Sequence, residues 1–386
     1  MNNTRCYSGI RCPGDRTGFH LLMNYSKLDI MKYLACILTL LLFAAGCKEK
    51  SVTVTQPYVP PPPPPKAQEV YVLNAGNPVD STGASISIYD ITNDTTYLNV
   101  FEAANGGAHL GAYAVNMKLA QGHLFILMGG AMNSLLLTRA SDTKLTEQYN
   151  FSSPIRDFII DSLRSQAFVI RGDSGWVYVM NLASFAITES LAVGANSTGL
   201  FTTSNHLYIS DATSNLVTVI DMNSDTVKTK VHVGAGPSSM GLITTGRLKG
   251  SIAVACTGDS VTKGSVTFID TLTNAVSDSL DLSVNLFSGG GVGVNSDGYV
   301  FVLGTTIGVN SGGPVIRINP NTKAYNLSYV AGTYYSVTID GATDDIYLAN
   351  VKQFTQNGEV NVYKSSAALK KVIPAEMGPK VVLFRR

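Results

Sequence analysis

The chain has 386 residues, of which 14% are charged, 45% are hydrophobic and 36 are glycine, and its 28 Lys and Arg against 27 Asp and Glu leave a formal charge of +1. Without a basic stripe to neutralise phosphates, this composition excludes a nucleic-acid binder. Its apolar content excludes a disordered chain, because burial of that much surface offsets the entropy lost on folding.

From Met31 the chain reads MKYLACILTLLLFAAGC, with a cationic Lys32, an apolar run over residues 34–45 and small residues leading to Cys47. That order is the pattern of a secretory signal. The run falls short of the ~20 apolar residues that span a bilayer. The cationic part of such a signal is short, so translation is expected to begin at Met31, with residues 1–30, including Cys6 and Cys12, a spurious extension. The ending Ala44-Ala45-Gly46-Cys47 resembles the bacterial lipobox. The resemblance implies cleavage before Cys47 and a diacylglycerol on its thiol, which would hold the mature protein on a membrane. With Cys6, Cys12 and Cys36 removed and Cys47 acylated, Cys256 alone remains, so no disulfide framework can form. Cys256 lies in the apolar run SIAVAC and reads as a small buried hydrophobe.

Residues 47–69 read as a tether that carries the lipid at one end and six consecutive prolines at 60–65. Polyproline II rises ~3.1 Å per residue, which makes this run a stiff spacer of roughly 20 Å.

From residue 70 to 386 short β-type runs alternate with Gly, Asn, Asp and Ser turns, and one unit recurs. Its clearest copy is HLYISDATSNLVTVIDMNSDTVKTKVHVGAGPSSMGLI from His206, and further copies begin at Tyr71, His123, Ala167, Ser251, Tyr299 and Asp345. Anchored on Asp90, Thr138, Asn181, Asp221, Asp270, Asn319 and Lys364, the copies are 48, 43, 40, 49, 49 and 45 residues apart. Units of ~40–50 residues with four short strands are the mark of a β-propeller blade. The expected fold is therefore all-β, a seven-bladed β-propeller. The first copy lacks a leading strand, and the last residues, from Gly378-Pro379 to Phe384, have the form of one, so the C-terminal strand is expected to close the first blade.

The runs Leu207-Tyr208-Ile209-Ser210-Asp211 and Val217 to Asp221 resemble the YVTN-type propeller repeat of bacterial surface proteins. The stretch YVLNAGN (71–77) with FEAANGGAHLG (101–111) also resembles the opening blade of Bacteroidota propeller lipoproteins, although Ala75 stands where those relatives carry an acidic residue and Pro78 where they carry an aromatic. Some members of that group capture cobalamin at the cell surface and pass it to a transporter. The resemblance thus implies an outer-membrane lipoprotein, on the surface or the periplasmic face, with an outer-membrane transporter as partner. Lys48-Glu49-Lys50 is a faint version of the charged tract that directs such proteins outward.

Catalytic patterns are missing from the sequence. His109, His123, His206 and His232 form no H-x-H or H-E-x-x-H spacing and no Cys/His cluster, so neither a metal nor a cofactor is expected. Gly172-Asp173-Ser174-Gly175 imitates a serine-protease nucleophile motif but reads as a hairpin turn, as do 295–298 and 340–345. In a propeller, the loops that enter the innermost strands and those joining the two middle strands share one face around the central channel. On those loops the candidate ligand contacts are Asn74 and Asn77 in the first copy, His109, then Arg156, Arg171, Asp173 and Asn196. Phe287, Tyr334, Tyr335 and Phe354 complete them, since aromatic and Arg groups are the usual anchors. Trp176 begins a strand and is expected in the core. The reading is a binding protein, not an enzyme; a lactonase-like hydrolase and an envelope scaffold without a small ligand are the alternatives.

Overall fold

Turns set the repeat. At the end of the third strand of a blade, the Asp90 Oδ1 accepts the N–H groups of Thr92 and Asn93 at 2.9 and 3.0 Å. Asn181, Asp221, Asp270 and Asn319 do the same in their own copies. An Asp or Asn that bonds the backbone two residues on folds the chain back tightly. The turn then passes through a residue at positive φ: Asp94, Phe185, Asp225, Asn274 and Lys323 in these copies. In the second copy the equivalent position is Arg139, which pairs with His123, rather than Thr138, which pairs with Leu124. The spacing anchor was one residue early there because Arg139 cannot cap the turn; it grips Asp142 at 2.6 Å, and Asp142 accepts the Lys144 N–H instead.

The computed structural model describes residues 64–77, 83–306 and 312–386. The signal run, Cys47 and most of the proline tether lie outside the described residues. The described residues form one unit of seven four-stranded antiparallel sheets. Blade 1 holds β1 (Glu69–Asn74), β2 (Ser85–Asp90) and β3 (Thr95–Tyr97), followed by the short helix α1 (Val100–Ala104). Blade 2 holds β4 (Ala114–Ala120), β5 (His123–Met128), β6 (Ser134–Arg139) and β7 (Leu145–Asn150). Blade 3 holds β8 (Ile155–Asp161), β9 (Gln166–Arg171), β10 (Trp176–Asn181) and β11 (Ile187–Ala192). Blade 4 holds β12 (Ser197–Thr202), β13 (His206–Asp211), β14 (Leu216–Asp221) and β15 (Thr226–His232). Blade 5 holds β16 (Pro237–Leu242), β17 (Ser251–Cys256), β18 (Ser265–Asp270) and β19 (Ala275–Asp281). Blade 6 holds β20 (Gly293–Val294), β21 (Val300–Thr305), β22 (Gly312–Ile318) and β23 (Tyr325–Val330). Blade 7 holds β24 (Ser336–Ile339), β25 (Ile346–Asn350), β26 (Glu359–Tyr363) and β27 (Leu369–Pro374), and the chain ends in β28 (Pro379–Arg385).

That last strand closes the ring as expected. β28 is the inner strand of blade 1, in register with β1 from Glu69↔Arg385 to Leu73↔Val381. Gly378 leads into it at φ 70, where a Cβ would meet the Gly76 carbonyl at 2.6 Å and the Phe354 ring at 2.8 Å, so only glycine fits. At the other end Arg385 pairs with Glu69 at 3.1 Å, and Arg386 reaches the buried Asp340 of blade 7.

Between blades sits an aromatic wedge. One register position of the second strand, its third residue or in β21 and β25 its second, is Tyr71, Phe125, Phe168, Tyr208, Ala253, Phe301 or Tyr347 around the ring. Tyr71 packs on Met117, Leu124 and Ile126 of blade 2; Phe168 packs on Leu207 and Ile209 of blade 4; Tyr347 packs on Val70 and Val72 of blade 1. Where the ring is replaced by Ala253, the residue paired with it, Phe268, fills the same cluster against Val300 and Val302 of blade 6.

Removing residues 380–386 should abolish cooperative unfolding, followed by circular dichroism during heating; an unchanged melting temperature would refute closure by β28. The wedge gives a second test. Phe168→Ala should cost about 3–5 kcal/mol in denaturant unfolding. Ala253→Phe should cost about 1–3 kcal/mol by overpacking, and Phe268→Ala placed beside it should recover part of that loss, a coupling that independent sites would not show.

Candidate functional site

The inner strands β28, β4, β8, β12, β16, β20 and β24 all begin at one end of the ring, the loop face, and line a central cavity of about 470 Å³. Its wall is polar in an uneven way. Blades 1, 2 and 3 contribute Lys380, Lys118 and Arg156, with Asp157 and Asn116; the other blades contribute hydroxyls such as Thr198, Ser239 and Thr338 and the backbone of Gly289, Gly291 and Gly293.

On the loop face, the loops entering β20, β24 and β4 and the loop between β25 and β26 bring aromatic rings together. Phe287 meets Tyr335 edge-on at 5.5 Å between centroids, and Tyr335 meets Phe354 at 5.4 Å and 90°. Burial first, and the neighbouring Tyr113 second, push the Tyr335 phenol up to about 12. Lys380 Nζ stands 5.6 Å from the centre of the Tyr113 ring, near enough for a cation–π contact. Three residues chosen from sequence therefore converge in this rim, and Tyr113 and Lys380 join them. Sequence reasoning missed both: Tyr113 shares a loop with His109, and Lys380 reaches the mouth only because β28 closes the ring.

A second group forms across blades 3 and 4. Arg156 Nη1 donates to the Asn196 Oδ1 at 2.5 Å and to the Ser197 carbonyl at 3.2 Å, while Nη2 donates to the Gly172 carbonyl at 3.2 Å. Asn196 passes the network on to the Thr213 hydroxyl at 3.0 Å. Arg171 and Asp173 pair with each other through two hydrogen bonds of 3.0 and 2.9 Å, which spends both on shaping their own hairpin.

The remaining candidates stand apart. Asn74 is fully buried, donates to Ser85 and Ser87 and accepts the Glu376 N–H, so its side chain is spent on the blade 1 hairpin and the latch. Tyr334 is also buried and exchanges a hydrogen bond of 3.0 Å with Tyr363. Asn77 is half-buried at the edge of the described residues, and His109 is exposed on the connection from α1 to β4. Trp176, expected in the core, is instead 42% exposed. It is the first residue of β10, at the loop-face end of that strand.

The hairpin readings hold. Ser174 donates to Asp173 at 3.0 Å inside its turn. The 340–345 turn is capped by Asp340, and its Asp344 accepts the Ser296 N–H of the preceding blade at 2.9 Å. Among the described residues, no three His, Cys, Asp or Glu side chains stand together as a metal cage. Cys256 is fully buried in β17, and that burial pushes its thiol up to about 11.

No family model and no curated protein matches the chain. Solved structures do. A quinonprotein alcohol dehydrogenase-like protein from Bacteroides thetaiotaomicron superposes with a TM-score of 0.64 at 12% identity, covering 82% of this chain and 78% of its own. A protein from Lactobacillus plantarum superposes at 0.62 and 14% identity, over 83% of this chain and all of its own. The dihydro-heme d1 dehydrogenase NirN superposes at 0.53 and 13% identity, over 86% of this chain and 78% of its own. At such identities the likeness is one of fold.

A thiol held protonated in a sheet is a poor nucleophile. Under native conditions at pH 8, a thiol-specific reagent should leave Cys256 unlabelled by peptide mapping and modify it within minutes in denaturant; rapid native labelling would restore it as a candidate nucleophile.

Proposed function

We propose that the chain is a lipid-anchored envelope protein that binds a ligand through the loop face of the propeller, and that it captures this ligand for a membrane transporter rather than transforming it. The observation that carries the reading is the aromatic cluster of Tyr113, Phe287, Tyr335 and the buried Phe354 on the loop face, joined through the contact of Tyr113 with Lys380 to the wall of a cavity of about 470 Å³. Edge-packed rings hold one another rigid and offer flat, largely apolar surface at small entropic cost, which suits the faces of sugar rings or of a corrinoid. The cavity lies within the usual range of small-ligand sites, ~300–1,000 Å³.

The path of the chain supports the same reading. Glu69 opens β1 at the end of blade 1 opposite the loop face, and Lys66 lines a crevice there with Tyr89 and Lys371. A tether that enters at this end leaves the loop face turned away from its attachment. Lipid on Cys47, export and a transporter partner rest on the lipobox and on the resemblance to Bacteroidota lipoproteins. Two of the solved neighbours carry dehydrogenase names. The binding reading is preferred because the rim and channel supply anchors and fixed charges, whereas His, Cys and carboxylate groups do not converge among the described residues.

Calorimetric titration of the full chain against corrinoids, haem and glycans tests this. One class should release heat, and Phe287→Ala with Tyr335→Ala should weaken that binding at least tenfold. Silence from every class, with a membrane protein recovered by pull-down, would replace capture by a scaffold role; bound calcium with lactone hydrolysis would replace it by catalysis.

A further inference from the structure

The channel wall carries more positive charge than its structure uses. Lys380, Lys118 and Arg156 come from three consecutive blades and face one cavity, against a single lining carboxylate, Asp157. Asp157 Oδ1 accepts Asn116 Nδ2 at 2.5 Å and the Phe158 N–H at 2.8 Å, neutral donors that leave its charge in place, so three cations against one carboxylate leave the wall with a surplus of two positive charges. None of the ion pairs among the described residues includes any of the three cations. Arg156 is oriented by three neutral oxygens, which aim its guanidinium without neutralising it. Lys380 is steadied at the mouth by the Tyr113 ring.

Like charges gathered in a cleft with protein walls repel one another, and the walls concentrate their field. For folding alone this arrangement is unfavourable, and Met or Thr at positions 118 and 380 would suit the strands as well. An anion relieves the repulsion. We infer that the channel is an oxyanion site, in which Lys380, Lys118 and the aimed Arg156 receive a phosphate or carboxylate group while the rest of the ligand lies on the aromatic rim. The second half of this inference rests on the loop-face reading above. Lysine ammonium groups act here as adaptable point charges, and their three rotatable donors fit tetrahedral and planar oxyanions alike. Position orders the contacts: Lys380 and Arg156 are each the second residue of their strands at the mouth, and Lys118 lies deeper along β4. An acidic arm would meet the outer pair first and then Lys118. The hydroxyls of Ser239 in blade 5 and of Thr338 in blade 7 supply neutral donors. A cationic ligand is excluded by the same charges.

The probes are inorganic phosphate and citrate, titrated into the full chain at constant ionic strength with chloride as the reference. Heat of binding and a rise in melting temperature beyond that given by chloride are expected. The paired change Lys118→Met with Lys380→Met should weaken the binding at least tenfold. Lys118→Arg with Lys380→Arg should retain it, which separates loss of charge from loss of fold, and Lys230→Met on the outer strand β15 should change nothing. A response equal to that of chloride, or one equal in wild type and the paired methionine variant, overturns the oxyanion site. Stronger binding of citrate than of phosphate would assign the group as carboxylate, and the reverse as phosphate. The two readings fail separately. Phosphate or citrate binding that depends on the lysines survives even if Phe287→Ala leaves every larger ligand unaffected, which would refute the rim alone; lysine-independent binding of a rim-dependent ligand would refute the oxyanion site alone.

Discussion

Contact between neighbouring blades is the constraint on which the molecule depends. A four-stranded sheet with two apolar faces cannot bury both by itself, so each blade is stable only when wedged between two others. The ring at the shared register position of the second strand does that wedging: Phe125 joins the cluster of Phe158 and Val169 of blade 3, Tyr208 that of Ile252 and Val254 of blade 5, and Phe301 that of Ile346 and Leu348 of blade 7. Tyrosine adds a polar tie. The Tyr71 hydroxyl donates to the Ala140 carbonyl at 2.5 Å and that of Tyr208 to the Asn274 side chain at 2.7 Å, in each case across to the turn of the next blade. Such a chain of wedges has no natural end, and β28 is the device that joins the last blade to the first.

Blade number, strand order and closure were legible in the sequence because their signals are local. An Asp or Asn that caps its own turn announces itself in five of the seven blades, and a missing first strand with a spare last one needs only composition to be noticed. The position that slipped, Thr138 for Arg139, is one where the cap is absent and a salt bridge has taken its place. Trp176 differs from expectation for a related reason: strand membership does not say whether the end of a strand is covered, and Trp176 is the exposed first residue of β10.

Less of the site could be read. Propeller topology places loops on a face, so Phe287, Tyr335, Phe354, Arg156 and Asn196 could be selected as loop residues, but their partners depend on the angle between blades. The channel lysines carry no pattern at all in sequence. Lys118 sits in an ordinary strand, AVNMKLA, and Lys380 in the terminal PKVVLFR; only closure makes them neighbours in one cavity. Asn74 shows the converse case. Its place beside a loop looked available, yet it is consumed by Ser85, Ser87 and Glu376, three groups that hold the latch to the first hairpin.

Site and latch therefore share parts. Lys380 belongs to β28 and its carbonyl accepts the Ser336 hydroxyl of blade 7 at 2.6 Å, so the residue that faces the channel also stitches the last blade to the first. Phe354 of the rim packs over Gly378, the turn into that strand. A ligand that engages Lys380 and the rim can bind only the closed ring, because in an open one these groups are not assembled. Linkage then requires the relation to run both ways: occupancy adds to the stability of closure by the free energy with which the ligand binds the closed form alone. If the proposed ligand is held at this seam, the propeller is most stable when loaded, because the surplus positive charge of the cavity wall and the pairing of β28 with β1, which the chain itself does not join directly, lie side by side there.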